Sequence, residues 1–271
     1  MPKKVKRLFE QFIPNHYDIR LIISEDKNNF SGTVRILGKK TGRPAKRITL
    51  HQKALKIKNI TLVAEDKKGV KSNIDIARVV SHKTYDELRI HTDKNLYNDK
   101  YEIIIDFEGN IIKNMDGIYP CSFMDDGIQK RLIATQFESH HAREAFPCID
   151  EPEAKETFQL NLNHSKDEIA LINTPKISEN TEKDRVISVF DTTPIMSTYL
   201  FAFVVGEMAY LEATSKNGVK IRTYSVPKLV KTAEFALATA VKAMDFYEEY
   251  YDIPFPLPKC DFVALPDFAS G

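Results

Sequence analysis

Apolar and polar residues alternate through much of residues 14–206, and a period of two is typical of half-buried β-strands. Turn-like clusters separate the alternating runs, with no helical pattern between them, which predicts antiparallel sheets packed together. The run Thr198–Gly206 is apolar on both faces and predicts a central, buried strand. The alternation predicts three strands with one apolar face each. Their apolar residues are Tyr17, Ile19, Leu21 and Ile23 in the first strand, Tyr101, Ile103, Ile105 and Phe107 in the second, and Phe158, Leu160 and Leu162 in the third.

The pattern changes after Gly206. The pair Asn217-Gly218 predicts a two-residue hairpin turn between Met208–Ala213 and Val219–Ser225. A short strand is predicted later, over Asp261–Leu265. We therefore expect two units, an amino-terminal β domain over residues 1–206 and a second unit over residues 207–271.

Helical spacing of apolar residues predicts a helix over Thr232–Tyr251, with Thr232 as its N-cap. Pro254 prevents the helix from continuing much further. The predicted buried stripe consists of Ala236, Ala240, Met244, Tyr247 and Tyr251, widened by Leu237 and Val241.

The composition is that of an ordinary globular protein, with 42% hydrophobic and 28% charged residues in a chain of 271. A formal net charge of +1 gives no indication of a nucleic-acid or anionic-membrane partner. No apolar run is long enough to span a bilayer, and the basic start lacks the apolar stretch of a signal peptide. The three cysteines are odd in number and far apart, which favours free thiols and a cytoplasmic location.

Residues 135–158 (TQFESHHAREAFPCIDEPEAKETF) join a strand end to a polar, acidic stretch. Composition alone predicts a surface loop between strands. His140 and His141 could bind a metal with Cys148, but adjacent strand residues point to opposite faces, which disfavours one shared ion. We expect charged residues to hold the loop together and three others to be buried. The first set is Arg143, Asp150 and Glu151, and the second is Phe146, Cys148 and Phe158.

Residues 251–271 (YDIPFPLPKCDFVALPDFASG) contain four prolines within thirteen positions. Prolines at this density fix an extended path, so the pattern alone predicts a rigid connector into a short strand.

Together these two segments resemble the M1 family of zinc aminopeptidases. TQFE followed by AREAFPCIDEP resembles a stretch of that family's amino-terminal domain, and IPFPLPKCDFVALPDFASG resembles the lead into its exopeptidase motif, Gly-Ala-Met-Glu-Asn. Only the first glycine of that motif, Gly271, is present. The resemblance extends in collinear order over about residues 14–271, which is more specific than any one short pattern. Further matches are Phe30–Ile36, Leu50-His51, Gly117–Pro120 and Pro194–Gly206.

The resemblance implies a mainly β fold: a saddle-shaped antiparallel domain followed by the truncated start of a thermolysin-like α+β catalytic domain. This agrees with the boundary drawn from periodicity. In the family, zinc is held by His-Glu-x-x-His and a downstream Glu. None of the seven histidines here is followed by Glu. We therefore expect zinc in a full-length parent, and no metal ligand or catalytic residue in this chain.

The family also binds the free amino terminus of a peptide, and the resemblance maps one amine-binding carboxylate onto Glu138. Gln136, two residues earlier on the same strand face, is expected to line the substrate pocket. Gly271 is expected to contribute to substrate binding through the exopeptidase motif. The implied partners are peptides with a free N-terminal amine.

Three functions remain open at this point. The first is the amino-terminal portion of a zinc aminopeptidase that releases N-terminal amino acids, inactive by itself. The second is a non-catalytic, M1-like scaffold or interaction protein, which would have no chemical need for Glu138 or for the run up to Gly271. The third is an epoxide hydrolase–aminopeptidase, a group that carries Gln where this chain has Glu138. The sequence favours the first.

Overall fold

A computed structural model describes residues 7–269, and its fold is mainly β, as predicted, with 54% strand and 13% helix. This part of the chain contains β1 (Phe12–Ile23), β2 (Asn29–Lys40), β3 (Ala45–His51), β4 (Lys56–Glu65), β5 (Lys71–Asn73), β6 (Ile76–His82), β7 (Glu87–Leu96), β8 (Lys100–Asn110), β9 (Gly117–Asp125), β10 (Ile128–Gln136), β11 (Lys155–Ser165), β12 (Ile169–Ile172), β13 (Lys176–Glu182), β14 (Arg185–Phe190), β15 (Met196–Ser197), β16 (Phe203–Gly206), β17 (Ala209–Thr214), β18 (Lys220–Ser225), α1 (Glu234–Tyr251) and β19 (Lys259–Val263). Short 3-10 helices lie at Lys83–Tyr85, Ala142–Glu144, Thr198–Leu200 and Pro227–Ala233.

The largest sheet has the strand order β13-β14-β11-β1-β2-β8-β4-β5, with β15 paired to β11. Its pairs are antiparallel except for β1 and β11, which run parallel with Tyr17 opposite Phe158. All three apolar faces predicted from the alternation are buried, which confirms those strands. A separate sheet, β3-β7-β6, adds Ile48, Leu50, Leu88 and Ile90 to the same core.

The second sheet has the order β12-β16-β10-β9. The predicted strand over Thr198–Gly206 is only partly correct: β16 is central, between β12 and β10, but it begins at Phe203. The three residues Thr198–Leu200 form a 3-10 helix instead. The Thr198 hydroxyl donates to Asp150 Oδ1 at 2.7 Å, and Leu200 turns outward to 49% exposure. The buried hydrogen bond between Thr198 and Asp150 therefore holds these three residues out of the strand that their apolar pattern predicts.

The third sheet, β17-β18-β19, begins with a hairpin whose turn differs from the prediction. Ser215 N–H donates to Val219 O at 3.0 Å, which leaves a three-residue loop over 216–218 rather than a two-residue turn. Gly218 has φ +86°, the left-handed conformation that three-residue hairpin loops need at this position.

The helix α1 ends at Tyr251 as predicted but starts at Glu234, after the 3-10 turn. Thr232 is not its N-cap, because the hydroxyl donates to Leu229 O at 2.6 Å. The predicted stripe is also rotated: Tyr247 and Tyr251 are exposed, whereas Glu248, which shares a face with the half-buried Val241 and Met244, is buried. Glu248 accepts hydrogen bonds from Phe255 N–H and the Asn217 side-chain amide, which explains how a charged residue faces inward.

Strand β19 lies two residues earlier than predicted and pairs in parallel with β18. A second apolar cluster joins the second and third sheets, and Val263 and Leu265 pack against it. Its buried residues come from both sides of residue 206: Tyr119, Cys121, Leu132, Ala134 and Leu171 before it, and Met208, Tyr224 and Val226 after it. The domain boundary near 206 stays a prediction. Across residues 7–269, no helix has both the length and the apolarity needed to cross a membrane.

Candidate functional site

Gln136 and Glu138 lie where β10 ends, between β9 on one side and β16 on the other. Gln136 is the last residue of the strand and pairs with Gly117 of β9. The next residue, Phe137, is 1% exposed, and its ring contacts those of Phe146 and Phe201. This buried aromatic contact fixes the backbone from which Glu138 projects.

Glu138 is exposed, and its carboxylate has no hydrogen-bond or ion-pair partner within the described part of the chain. The peptide bond between Glu138 and Ser139 is cis. Gln136 is half-buried. The carboxylate therefore stands at a fixed strand end with its acceptor oxygens available to a ligand.

The chain turns directly after Glu138, where His141 N–H donates to Phe137 O at 2.9 Å. Glu144 stabilises this turn by accepting hydrogen bonds from His141 Nδ1 at 2.8 Å and from Lys53 Nζ at 2.9 Å. Burial would raise the pKa of the Glu144 carboxyl, but these two donors lower it overall. The Glu144 side chain thus remains an acceptor that ties the turn to the loop after β3.

Arg143 and Asp150 form an ion pair: Arg143 Nε donates to Asp150 Oδ2 at 3.0 Å, and the Asp150 side chain is fully buried. Glu151 accepts the backbone N–H groups of Leu8 and Phe9 at 2.9 and 3.2 Å. Charged residues therefore hold the loop together, as expected, and link it to the start of the chain.

Phe146, Cys148 and Phe158 are buried, as predicted. Cys148 forms an antiparallel bridge with His51, whose Nδ1 accepts the Asp150 N–H at 3.0 Å. Burial and the nearby Arg143 lower the pKa of His51 to about 3, so this ring is a neutral structural acceptor.

The rings of His140 and His141 do not diverge, contrary to the strand argument: their centroids are 4.8 Å apart because both residues lie in a turn. Even so, no group of three or more His, Cys, Asp or Glu residues between 7 and 269 is arranged to hold a metal ion.

Gly271, the remaining predicted site residue, lies outside the described residues. The segment before it contacts β9 through Asp267, whose carboxylate accepts Ser122 N–H at 3.0 Å. Asp267 lies within the proline-rich segment over residues 251–271, and no pattern in that segment predicted a role for it. Glu156, a second residue that was not predicted, is 1% exposed, and both of its carboxylate oxygens lack a hydrogen-bond partner in the described structure. Glu156 continues the face of β11 on which Phe158, Leu160 and Leu162 are buried, so the alternation of this strand was the signal that could have predicted its burial.

Comparison with known proteins matches both parts of the chain to one family. The Peptidase M1 N-terminal domain profile matches residues 13–200, and the Peptidase family M1 domain profile matches residues 235–271.

Similar proteins include aminopeptidase N of Lactococcus lactis subsp. lactis, 38% identical over 100% of this chain and 30% of the relative. The puromycin-sensitive aminopeptidase of Caenorhabditis elegans is 36% identical over 99% of this chain and 28% of its own length. The human endoplasmic reticulum aminopeptidase 1 is 34% identical over 98% of this chain and 28% of its own length. The chain thus spans less than a third of the length of these relatives. Because the N-terminal domain profile alone covers more than half of the 271 residues, the chain belongs to the M1 peptidase family.

Proposed function

We propose that this chain is the amino-terminal portion of a zinc-dependent aminopeptidase that releases N-terminal amino acids from peptides. Glu138 binds the α-ammonium group of the substrate in this proposal, and Gln136 lines the adjacent pocket. The observation that carries it is the exposed, unpartnered carboxylate of Glu138 at the fixed end of β10, in a chain of the M1 family.

An exopeptidase has to distinguish a terminal amine from an internal amide, and only the amine is cationic. A carboxylate is the natural acceptor for that charge, because charge-assisted hydrogen bonds are roughly twice as strong as neutral ones. Preorganisation adds to this advantage. The ring of Phe137 packs against those of Phe146 and Phe201, and this packing preorganises the site by fixing the backbone beside Glu138.

The residues described here do not fit a zinc site, since none of their His, Cys, Asp and Glu side chains form a group of three suited to a metal. We therefore assign the zinc ligands, the general base and the partner carboxylate of the exopeptidase motif to the rest of the parent. Gly271 is proposed to begin that motif. By itself the chain is proposed to be inactive.

We further propose that residues 1–206 and 207–271 are the amino-terminal domain and the start of the catalytic domain. Peptides with a free N-terminal amine are the proposed substrates. A cytoplasmic location is supported by three cysteines that are all free thiols in the described structure.

The test is steady-state kinetics of Glu138→Gln in the full-length enzyme, with amino-acid anilides as substrates. Glu138→Gln keeps the shape and removes the charge. Hydrogen bonds to charged groups are worth about 1.5–3 kcal/mol, so kcat/KM should fall about ten- to a hundredfold. Glu153→Gln is the matched control, because Glu153 is exposed in the same segment and has no assigned role.

Zinc content of Glu138→Gln should equal that of the wild type, because Glu138 is not a proposed ligand. Wild-type kcat/KM in this variant would remove Glu138 from the site. Loss of zinc would show that its role is structural.

A further inference from the structure

Residues 259–269 cross one face of the second sheet. At the start of the crossing, Lys259 Nζ donates to Ile172 O of β12 at 2.7 Å. Val263 and Leu265 then pack against the apolar cluster on that sheet. At the far side, Asp267 contacts β9, the opposite edge strand. The segment is therefore attached at both edges of the sheet.

Asp267 makes three hydrogen bonds to β9. Its carboxylate Oδ2 accepts the Ser122 backbone N–H at 3.0 Å. Its backbone carbonyl accepts the Tyr119 hydroxyl and the Cys121 thiol, each at 3.3 Å. Tyr119 and Cys121 are fully buried. Of these contacts, only the one to Ser122 depends on the identity of the side chain at position 267.

Strand β9 also connects this contact to the proposed amine site. In the register of β9 and β10, Cys121 lies opposite Leu132, Tyr119 opposite Ala134, and Gly117 opposite Gln136. Residues directly opposite each other in an antiparallel pair share a face, as do alternate residues along a strand. Gln136 therefore lies on the sheet face that the Asp267 segment crosses, and Glu138 follows two residues later.

We propose that Asp267 is a positioning residue for aminopeptidase activity. It anchors the chain that leads to the exopeptidase motif against β9, and so sets the position of that motif relative to Glu138. Three residues lie between Asp267 and Gly271, and the four extended steps from one Cα to the other span at most about 14 Å. An anchor at Asp267 therefore limits the space that the motif can reach. This inference rests on the proposed role of Glu138 in amine binding.

The anchor is tested first in the 271-residue chain by alkylation of native protein with iodoacetamide and peptide mapping. Asp267→Ala removes the acceptor for Ser122 N–H, which loosens the segment that covers Cys121. The alkylation rate of Cys121 should rise about tenfold, because hydrogen bonds to ionised groups are among the stronger ones. Asp267→Asn keeps an acceptor oxygen and should restore most of the protection.

Cys148 is the internal control, because it is fully buried in the first core cluster, away from Asp267. Its alkylation rate should be the same in all three proteins. A Cys121 rate in Asp267→Ala equal to that of the wild type would overturn the anchor. Equal rises at Cys121 and Cys148 would mean general unfolding and would also overturn it.

The positioning role is tested in the full-length enzyme by a double-mutant cycle. Asp267→Ala should lower kcat/KM about tenfold in the wild-type background, and Asp267→Asn should recover most of it. In the Glu138→Gln background, Asp267→Ala should cost less than about twofold, because the interaction it positions is already lost. Independent, multiplicative losses would show a merely structural effect and overturn the proposal.

The two proposals fail in different ways. Wild-type activity of Glu138→Gln would refute the amine-binding role, and with it the positioning role, while the Cys121 rates would still report whether Asp267 anchors the segment. A reduced activity of Glu138→Gln with unchanged Cys121 rates in Asp267→Ala would refute the anchor alone.

Discussion

The buried carboxyl of Glu156 predicts a pH dependence of stability that one substitution should abolish. Glu156 lies in β11 with a side chain that is 1% exposed and has no hydrogen-bond partner in the described structure. The titratable groups that interact with it are Asp150, Tyr17 and Cys148. Burial, and secondarily the negative charge of Asp150, raise the pKa of Glu156 from 4.5 to about 9.

The raised pKa means that the folded protein holds a proton on Glu156 which the unfolded chain releases. As pH rises above 4.5, ionisation stabilises only the unfolded chain, so the free energy of unfolding falls until about pH 9 and then levels off. One pKa unit corresponds to about 1.4 kcal/mol, so the loss at pH 7.5 reaches up to about 4 kcal/mol.

Glu156→Gln removes the ionisation and keeps the shape. At pH 5 it should be more stable than the wild type by only about 1 kcal/mol, because the carboxyl is protonated in the folded state and the unfolded group, with a pKa of 4.5, has just begun to favour the ionised form. At pH 7.5 it should be more stable than the wild type by up to about 4 kcal/mol. Glu153→Gln is the control, since Glu153 is exposed and lies two residues before β11 begins.

The assay is urea denaturation followed by far-ultraviolet circular dichroism between pH 5 and 8.5. The chain has no tryptophan, so backbone dichroism is the more suitable signal. The midpoints of wild type and Glu153→Gln should fall together as pH rises, and those of Glu156→Gln should fall less. Parallel curves for all three proteins would refute the reasoning.

Three further outcomes are expected. The purified 271-residue chain should contain no stoichiometric zinc and should not hydrolyse amino-acid anilides; one zinc per chain by elemental analysis would contradict this. Limited proteolysis should cut first beyond Gly206, because Phe235 is 83% exposed and much of the aromatic face of α1 is uncovered; equal hydrogen-exchange protection on both sides of Gly206 would contradict it. Arg143→Gln should destabilise the chain by about 3–5 kcal/mol in urea titrations, because it leaves the buried Asp150 carboxylate without its cation; an unchanged midpoint would show that the ion pair is dispensable.

The local pattern along the chain determined the strands of the amino-terminal sheets and the existence of α1. Alternation placed Tyr101, Ile103 and Ile105 on one face, and all are buried. This works because burial on one side of a strand or helix imposes a period that a short window reveals. The two motif segments, over residues 135–158 and 251–271, are also continuous stretches of sequence. The sequence therefore also indicated the M1 family and Glu138 as a candidate for amine binding.

The tertiary structure decided which face each element buries and which polar groups meet. Tyr247 and Glu248 are adjacent, and the pattern favoured burial of the tyrosine. The glutamate is buried instead, because Asn217 and Phe255 supply hydrogen bonds from elsewhere in the chain. Both partners lie outside the helix, Asn217 in the preceding hairpin loop and Phe255 in the segment after α1, and the helical period does not encode them.

The same reason explains why the contact of Asp267 was found only in the structure. Glu156 continues the buried, alternating face of β11, but only the structure shows that both of its carboxylate oxygens lack a hydrogen-bond partner among the described residues. The contact of Asp267 with Ser122 spans 145 positions. Sequence alone determined the elements, the family and the exposed candidate Glu138, while long-range packing determined which carboxylates are buried, which are anchored, and which remain available to a substrate.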